Sequence, residues 1–512
     1  MSRQKFLITT PIYYINDRPH IGHTYTTVAA DILARWHRLR GDDVFFLSGT
    51  DENSQKTVQA AEKNGKPLEQ YTDDMAEIWE RTWKSLGLTI DYFIRTTSEL
   101  HRRGTHKFWE EVGNRQINGT PNIYKGKYVG LYCEGCEAYI KESELVDGLC
   151  PYHRKPPIRL EEENYFFALD AYRDRLLARL EARPNFVQPK ARFNEVQNYI
   201  AGHLEPLSVS RATRDWGIPV PGDSTQVMYV WFDALLNYLT GVGYGSPDSD
   251  YRIWWNADTR IVHLVGKDII KFHCAIWPAM LMAADEHLPD EVVAHGFFTI
   301  DGEKISKSLG NAIDPLELKA KYGFDAVRYF IFREIPFGED GDFSFERLEK
   351  RYKDDLANDL GNLVNRVLVM LEKYYTGVVP AAANPDAHGL AKMSEDAWQG
   401  IGQSLDGYRF DQALEHIWKL LNRMNRLIDS EKPWVLAKSD PDALANVMYA
   451  LAEGIRQAGW MLSMFLPDTA DRILKQLDEA RDQEFTILQR WGGLNAGRVI
   501  AREAETLFPP LA

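Results

Sequence analysis

The segment Lys5–Glu52, "KFLITTPIYYINDRPHIGHTYTTVAADILARWHRLRGDDVFFLSGTDE", decides the fold class. Its first ten residues are apolar and β-branched, which predicts a buried strand. The part "TYTTVAADILARWHRLRG" carries Val28, Ile32 and Trp36 at helical spacing and ends at Gly41. A second apolar run, "DVFFLSGTDE", predicts another strand. Strand, helix and strand in this order indicate the start of a parallel α/β domain.

The same segment places polar side chains where such a domain binds its ligands. Ligands of parallel α/β sheets bind beyond the carboxyl ends of the strands, near helix N-termini. His20 and His23 lie between the predicted strand and helix, and Asp51 follows the second strand. The small Gly22 between the imidazoles leaves room for a phosphate chain against the backbone. The alternative is a polar loop with two solvated histidines.

Composition limits the class of protein. The chain has 512 residues, a length that suggests about three domains. Its net charge of −14 argues against a general nucleic-acid coat but not against a local basic surface. No apolar run approaches the ~20 residues that span a bilayer. The first residues pass directly into strand-like sequence without a signal core, so we expect a cytoplasmic protein with no membrane partner.

The α/β pattern is interrupted and then resumes. From about Gly113 to Pro221 the chain shows short β-like pieces and turns. The α/β pattern then resumes with "QVMYVWFDALLNYL", the strand-like "RIVHLVGKD", the predicted helix "IIKFHCAIWPAMLMAA" and another predicted strand, "EVVAHGFFTI". The middle block therefore reads as an insertion within one α/β domain. From Glu346 onward the periodicity is nearly all helical, which predicts a helical bundle.

Three of the four cysteines fall in the insertion, in "CEGCEAYIKESELVDGLCPYH". Cys133 and Cys136 form a C-x-x-C, and Cys150 and His153 form a C-x-x-H. Two such pairs suit one four-coordinate Zn²⁺ per chain, and a complete set of protein ligands makes the site structural. Scattered core cysteines or a regulatory disulfide are the alternatives.

The loop "DGEKISKSLGN", Asp301–Asn311, carries Lys304 and Lys307 after a predicted strand of the α/β domain. Two lysines three residues apart are often solvated surface charge. Opposite an imidazole pair, however, they suit a triphosphate, because cations neutralise the charge that develops on the transferred phosphorus and the departing pyrophosphate.

The histidine and lysine stretches together resemble the two signature motifs of class I aminoacyl-tRNA synthetases, with Ile305 where Met is usual. The zinc knuckle in a short insertion, with "YVWFDALLNY", "GKDIIKFHCAIWPAML" and "EKPWVLAK", is similar to the methionine-specific family of that class. The resemblance implies a Rossmann-type parallel-sheet catalytic domain with an inserted zinc-knuckle connective domain and a C-terminal α-helical bundle. It implies the division 1–115 (first catalytic half), 116–225 (connective insertion), 226–300 (second catalytic half), 301–350 (lysine loop and stem-contact region) and 351–512 (anticodon-binding domain).

Two aromatic stripes suit a methionine side chain. Trp231, Ala234 and Tyr238 fall at i, i+3 and i+7, and Ile269, His273 and Trp277 fall at i, i+4 and i+8, so each set predicts one face of a helix. Aromatic faces suit a polarisable thioether, although plain core is the alternative. Cys274, beside His273, is expected to be a buried inert thiol.

The resemblance assigns further roles. The methionine site would comprise Ile12, Tyr14, Asp51, Trp231, Ala234, Leu235, Tyr238, Ile269, His273 and Trp277. Asp51 would bind the α-ammonium, with Tyr14 and His273 near the sulfur; members of the family often have Pro where this chain has Leu235. The ATP site would comprise His20, Gly22, His23, Gly266, Asp268, His295, Phe298, Lys304 and Lys307, with Mg²⁺ bound to ATP. His20, His23, Lys304 and Lys307 would be the catalytic residues, and Asp268 would bind the ribose.

In the helical region, the resemblance implies that Asn362, Arg366 and Trp434 recognise the anticodon of tRNA(Met), including the initiator tRNA. Trp434 in the core is the alternative. No further module follows the bundle, so we expect a monomer. Two rival functions remain: a class I synthetase for another amino acid, cysteine first, and an inactive zinc-containing RNA-binding protein.

Overall fold

A computed structural model gives the structure of the chain and describes residues 3–136, 138–140, 142–212, 216–300, 303–304, 312–386, 388–500 and 504–511. The strands are β1 (Lys5–Thr9), β2 (Tyr13–Tyr14), β3 (Asp43–Asp51), β4 (Tyr92–Arg95), β5 (Gln116–Ile117), β6 (Thr120–Pro121), β7 (Ile123–Cys133), β8 (Ala138–Ile140), β9 (Ile158–Phe167), β10 (Val187–Gln188), β11 (Leu207–Ser208), β12 (Ser210–Ala212), β13 (Pro219–Val220), β14 (Asp223–Met228), β15 (Thr259–Gly266), β16 (Glu291–His295), β17 (Phe298–Ile300), β18 (Glu303–Lys304) and β19 (Gly341–Phe343). The α-helices are α1 (Ile21–Leu39), α2 (Gln55–Lys63), α3 (Leu68–Ser85), α4 (Glu99–Gly113), α5 (Arg173–Ala182), α6 (Lys190–His203), α7 (Val230–Leu235), α8 (Asn237–Thr240), α9 (Trp277–Ala284), α10 (Pro315–Tyr322), α11 (Phe324–Glu334), α12 (Phe345–Arg351), α13 (Asn362–Tyr375), α14 (Leu390–Asp406), α15 (Phe410–Glu431), α16 (Pro433–Ser439), α17 (Pro441–Leu462), α18 (Pro467–Gln476) and α19 (Phe485–Leu488).

The chain forms two compact units, one made of residues 1–19 and 43–295 and the other of residues 20–42 and 296–512. The first unit is built on a seven-stranded sheet with the order β10-β16-β15-β1-β3-β2, in which β4 also pairs with β3. β1 pairs in parallel with β15 on one side and with β3 on the other. Its side chains Leu7 and Ile8 are both fully buried, as is typical of a parallel strand. The predicted parallel α/β fold is confirmed.

The apolar run "KFLITTPIYY" forms two strands rather than the predicted single strand. β1 ends at Thr9, and Pro11, which has no backbone N–H to donate, follows the break. The chain then resumes as β2, whose Tyr13 and Tyr14 pair in parallel with Thr50 and Asp51 at the end of β3. The single strand predicted from "EVVAHGFFTI" is also wrong, because β16 ends at His295 and β17 pairs with β19 in a separate sheet.

The insertion forms its own antiparallel sheet and also extends the parallel one. β7 and β9 pair over their length, from Ile123 with Phe167 to Tyr132 with Ile158, within a sheet of order β11-β9-β7-β8. β10, however, joins the parallel sheet at its edge by pairing with β16.

The second unit combines α1, the small sheet β18-β17-β19 and the helices from α10 onward. The buried guanidinium of Arg328 on α11 donates to Asp31 on α1 at 2.7 Å and to the carbonyl oxygens of Met464 and Phe465. α15 and α17 approach closely at Gly454, where a Cβ atom would lie 2.3 Å from Sδ of Met424. The predicted helical C-terminal region is confirmed.

Several segments predicted as continuous helices change type along their length. The "VWFDALLNYL" segment forms two short helices, α7 and α8, joined at Leu236. The "IIKFHCAIWPAMLMAA" segment passes from a 3₁₀ turn at Lys267–Ile269 through a π-helix at Phe272–Ile276 into α9. A second π-helix, Tyr352–Gly361, separates α12 from α13. The single-helix faces predicted for the two aromatic stripes are therefore wrong.

Within the described ranges, the helices are too short or too polar to cross a lipid bilayer.

Candidate active site, zinc site and helical surface

Four parallel strands of the first unit end at residues of the predicted site or next to it. Thr9 ends β1, Asp51 ends β3, Gly266 ends β15 and His295 ends β16. Parallel sheets bind ligands beyond this edge. The buried Asp51 therefore lies at the position from which such folds contact a ligand.

A mostly buried cluster in the same unit includes four of the residues predicted to bind methionine. The hydroxyl of Tyr238 donates to Nε2 of His273 at 2.7 Å, and Nδ1 of His273 donates to the carbonyl oxygen of Ile269 at 3.0 Å. The rings of Tyr238 and Trp277 are 5.9 Å apart. Burial lowers the pKa of His273 to about 4, so the imidazole is neutral at pH 7. The aromatic stripes meet across different elements, although neither occupies one continuous helix.

The other residues predicted to bind methionine are half-buried or buried in the same unit. The rings of Tyr14 and Trp231 meet edge to face at 6.5 Å, and Trp231 stacks on Phe272 at 3.9 Å. Ile12 is half-buried, whereas Ala234 and Leu235 are buried. Phe272 was not predicted, although its position between Ile269 and His273 in the "IIKFHC" segment is the signal that pointed to this region.

A buried polar network that local sequence patterns did not indicate holds these elements together. Nε2 of His101 on α4 lies 2.6 Å from Oδ1 of Asp233 on α7, and Nδ1 of His101 lies 2.7 Å from the Thr240 hydroxyl. The side-chain amide of Asn53 donates to the other Asp233 oxygen at 2.7 Å. Asp233 therefore links α7 to the loop that follows Asp51. Asn53, His101 and Asp233 are far apart in sequence, so only the fold brings them together.

The neighbouring Glu52 fixes the same loop from another direction. Its buried carboxylate accepts from Nε and Nη2 of Arg95 at 2.8 and 3.0 Å, in a bidentate pair. The indole of Trp216 donates to the Glu52 carbonyl oxygen at 2.8 Å. The loop that follows Asp51 is thus held by two carboxylates, because Asn53 donates to Asp233 and Arg95 donates to Glu52.

In the second unit, the histidine pair caps the N-terminus of α1. Nδ1 of His20 accepts from the Gly22 amide at 3.1 Å, and the His20 amide donates to Nδ1 of His23 at 3.2 Å. The two rings stack with their centroids 3.7 Å apart. Because both Nδ1 atoms accept, each neutral ring carries its hydrogen on Nε2. A helix N-terminus with two such donors suits a phosphate group.

Gly22 gives the His20 ring room in the same cap. A Cβ atom there would lie 3.0 Å from Cε1 and 3.2 Å from Nδ1 of His20, so a larger residue would push the ring by a few tenths of an ångström.

The remaining residues predicted for ATP are divided between the two units. In the first unit, a Cβ atom on Gly266 would lie 2.6 Å from Oδ1 of the exposed Asp268. A larger residue at position 266 would therefore displace this carboxylate. In the second unit, Phe298 is buried and packs edge to face on Tyr25 at 4.5 Å. Lys304 ends β18, where its backbone pairs with Thr299. Lys307 lies outside the described residues.

The predicted zinc ligands form one compact group. The Sγ and Nδ1 atoms of Cys133, Cys136, Cys150 and His153 all lie within 4.8 Å of one another. Cys136 Sγ is 3.5 Å from Cys150 Sγ and 3.3 Å from His153 Nδ1. A tetrahedron of ligands at ~2.3 Å from Zn²⁺ has edges of about 3.8 Å, so the set fits zinc. A Cβ atom on Gly135 would lie 2.5 Å from the His153 ring, which explains glycine in this turn.

The residues predicted to read the anticodon lie on the surface of the second unit. Trp434 is 46% exposed and is the second residue of α16, which begins at Pro433. Asn362 is exposed at the first position of α13. The Arg366 guanidinium donates to Asp429 at 3.0 Å. The alternative that placed Trp434 in the core is therefore wrong.

The parallel sheet, the histidine-capped helix and the inserted knuckle define a class I aminoacyl-tRNA synthetase, and the family model described as "tRNA synthetases class I (M)" matches residues 6–159 and 153–368. The chain is 46% identical to the methionine–tRNA ligase of Caldanaerobacter subterraneus subsp. tengcongensis, over 99% of this chain and 79% of that protein. It is 43% identical to the methionine–tRNA ligase of Streptomyces coelicolor, over 99% and 96% respectively. The chain belongs to the methionine–tRNA ligase family, and its activity is the ligation of methionine to tRNA.

A solved structure supports the same conclusion. The chain resembles Mycobacterium tuberculosis methionyl-tRNA synthetase in complex with methionyl-adenylate, with a TM-score of 0.93, 39% identity, and coverage of 99% of this chain and 100% of that chain.

Proposed function

We propose that the protein activates L-methionine with ATP to methionyl-adenylate and transfers the methionyl group to the 3′-terminal ribose of tRNA(Met), initiator tRNA included. In the first step, the methionine carboxylate attacks the α-phosphorus of ATP and pyrophosphate leaves. In the second, a terminal ribose hydroxyl attacks the methionyl carbonyl carbon and AMP leaves. The observation that carries the proposal is 43–46% identity to methionine–tRNA ligases over 99% of the chain.

For methionine, we assign the α-ammonium to Asp51 and the thioether to the aromatic cluster. The buried carboxylate of Asp51 at the carboxyl end of β3 suits a cationic group. The thioether would contact Tyr14, Trp231 and His273, because polarisable sulfur interacts favourably with aromatic rings. The remaining residues assigned to methionine would complete the walls: Ile12, Ala234, Leu235, Tyr238, Ile269 and Trp277.

For ATP, we assign phosphate binding to the histidine pair and the lysine loop. The Nε2–H groups of His20 and His23 suit phosphate oxygens, with Gly22 between them to admit the chain of phosphates. Lys304 and Lys307 would neutralise charge that develops as pyrophosphate leaves. Gly266, His295 and Phe298 would hold adenosine, and Asp268 the ribose. Mg²⁺ bound with ATP would supply further neutralisation. Catalysis then rests on positioning and electrostatics rather than on a covalent nucleophile.

For zinc, we assign a structural role to the group Cys133, Cys136, Cys150 and His153. A complete set of four ligands leaves no open position for substrate. This argues against the rival cysteine-specific synthetase, whose zinc would have to bind the substrate thiol.

For tRNA, we assign anticodon recognition to Asn362, Arg366 and Trp434. The exposed indole offers a face on which an unpaired base can stack. Arg366 already pairs with Asp429, so its guanidinium is held in place and would share its donors with a base edge. The assigned domain division 1–115, 116–225, 226–300, 301–350 and 351–512, a cytoplasmic location and a monomeric state complete the proposal.

Pyrophosphate exchange measured across the amino acids tests this function. We expect methionine-dependent exchange, and methionylation on addition of tRNA(Met). Exchange driven by cysteine would favour the first rival, and no exchange with any amino acid would favour the inactive RNA-binding protein.

A further inference from the structure

Asp233 joins two sides of the proposed methionine site, although it belongs to no assigned set of ligands. A carboxylate can only accept, and both of its oxygens do so here. One accepts from Nε2 of His101 at 2.6 Å, and the other accepts from the side-chain amide of Asn53 at 2.7 Å. Asp233 is 1% exposed, and a buried carboxylate that loses a donor is costly. The two bonds therefore constrain the elements that they join.

The elements that meet at Asp233 carry opposite ends of the proposed site. Asn53 follows Asp51, to which the α-ammonium is assigned, by two positions. Asp233 itself lies on α7 between Trp231 and Ala234, which are assigned to the methionine side chain. The bond between Asn53 and Asp233 thus links the ammonium end of the site directly to the thioether end.

α7 and its neighbour α8 depend on such tethers because they are very short. They have six and four residues, whereas isolated helices below ~12 residues are marginal in water. His101 on α4 ties both of them down, because its Nε2 binds Asp233 and its Nδ1 lies 2.7 Å from the hydroxyl of Thr240 at the end of α8. α4 and α8 also approach closely, since a Cβ atom on Gly104 would lie 2.4 Å from Cγ2 of Thr240.

We propose that Asp233, together with Asn53 and His101, is a positioning residue that fixes the length of the methionine side-chain pocket. The proposal rests on the proposed function. With the α-ammonium bound at Asp51, the position of α7 sets how long a side chain the pocket accepts. A well-packed pocket of fixed length excludes a longer side chain, because extra volume forces strain on its walls. None of the three residues needs to contact the substrate, since each acts through the position of α7.

The test is pyrophosphate exchange by the full chain with L-methionine and with L-ethionine, whose side chain is one methylene longer. The measured quantity, named here the length ratio, is kcat/KM for methionine divided by kcat/KM for ethionine. One methylene in an apolar pocket is worth ~10- to 200-fold, so we expect a wild-type length ratio of this size. The KM for ATP is measured on the same variants.

Asn53→Leu is the principal variant, because leucine has nearly the shape of asparagine but no donor. Asn53 is half-buried, so its position tolerates an apolar side chain. Loss of the bond to Asp233 releases α7 from the loop that follows Asp51. We expect the length ratio to fall about fivefold, the factor that one net hydrogen bond is worth, with the KM for ATP changed less than twofold.

His101 offers a second pair of variants. His101→Leu removes the other donor to Asp233, so the length ratio should fall as in Asn53→Leu. A Gln amide can reach the place of Nε2, so His101→Gln keeps that donor and should keep most of the wild-type length ratio. If His101→Leu does not fold, Asn53→Leu decides the test by itself.

The matched control is Tyr172→Phe. Tyr172 is buried in the same unit, and its hydroxyl donates to the side-chain oxygen of the buried Asn122 at 2.8 Å. This bond also joins distant parts of the chain, but neither residue belongs to an element that carries the assigned methionine residues. The variant should lose stability and keep the wild-type length ratio.

Any of the following results would overturn the inference: a wild-type length ratio near one, an unchanged ratio in Asn53→Leu, a comparable change in the KM for ATP, an equal fall in Tyr172→Phe, or an equal fall in His101→Leu and His101→Gln. A wild-type chain without methionine-dependent exchange would instead refute the proposed function itself, so the two failures are distinguishable.

Discussion

Replacement of Trp434 by alanine separates tRNA recognition from amino-acid activation. An enclosed aromatic side chain buries about 150–250 Å², and 46% of Trp434 is exposed, so truncation removes about 100 Å² of buried surface. At ~25 cal/mol per Å², the free energy of unfolding should fall by about 2–3 kcal/mol at most. Loss of base stacking should cost ~1–3 kcal/mol of tRNA recognition, or about 5- to 150-fold in kcat/KM for aminoacylation.

The assay is a pair of rates on one variant, with a melting curve. Aminoacylation should fall as stated, whereas methionine-dependent pyrophosphate exchange, which needs no tRNA, should match the wild type. Trp434→Phe keeps an aromatic face and should recover most of the loss. Val435→Ala is the control, because Val435 is the next residue of the same helix and is 48% exposed. An equal fall in both reactions, or an equal loss in Val435→Ala, would refute the stacking argument.

Four further predictions concern the other sites. In Cys150→Ala, the zinc content should fall below the wild-type value of about one atom per chain, while methionine activation should remain partly intact. Complete loss of activation with an unchanged melting point would contradict a structural role for zinc. Lys307→Ala should slow adenylate formation about 100-fold with an unchanged methionine KM, and a normal single-turnover rate would show that the lysine is only surface charge. Gly22→Ala should displace His20, whose Cε1 lies 3.0 Å from the added Cβ, and slow activation about tenfold; wild-type kinetics would refute the phosphate role of the cap. The pKa of His273 is about 4 in the folded chain, against the ordinary histidine value of 6.5 in the unfolded chain. Between these values only the unfolded chain binds the proton, so the free energy of unfolding should fall by up to about 3 kcal/mol as the pH drops from 6.5 to 4. Melting curves of His273→Gln should depend less steeply on acid pH than those of the wild type, and an equal slope would contradict this.

Local patterns were sufficient for the parallel fold and for the sites that lie within one stretch of chain. The apolar run at Lys5, followed by helical spacing to Trp36, indicated the start of the sheet and the first helix. The C-x-x-C and C-x-x-H pairs were enough to predict the zinc group, because each pair is a turn whose spacing alone brings its two ligands together.

Helix type and strand ends were decided by tertiary contacts. Periodicity counts residues on a uniform helix and cannot detect the extra residue per turn at Phe272–Ile276, which changes the angular spacing between Ile269, His273 and Trp277. The strand predicted across His295 ends there, and the next residue, Gly296, approaches Glu339 so closely that a Cβ atom would lie 2.2 Å from the Glu339 carbonyl oxygen, a contact made across 43 residues of chain.

What the sequence alone determined is which short segments bear chemistry: the histidine cap, the cysteine knuckle and the aromatic stretches. What only the tertiary structure decided is which distant groups share hydrogen bonds. Thr9 and His263 are 254 residues apart, and His101 and Asp233 are 132 residues apart, yet each pair is buried in direct contact. A buried hydrogen bond requires two groups to meet within about 3 Å, and that distance depends on the register of strands and the docking of helices, which no local spacing encodes.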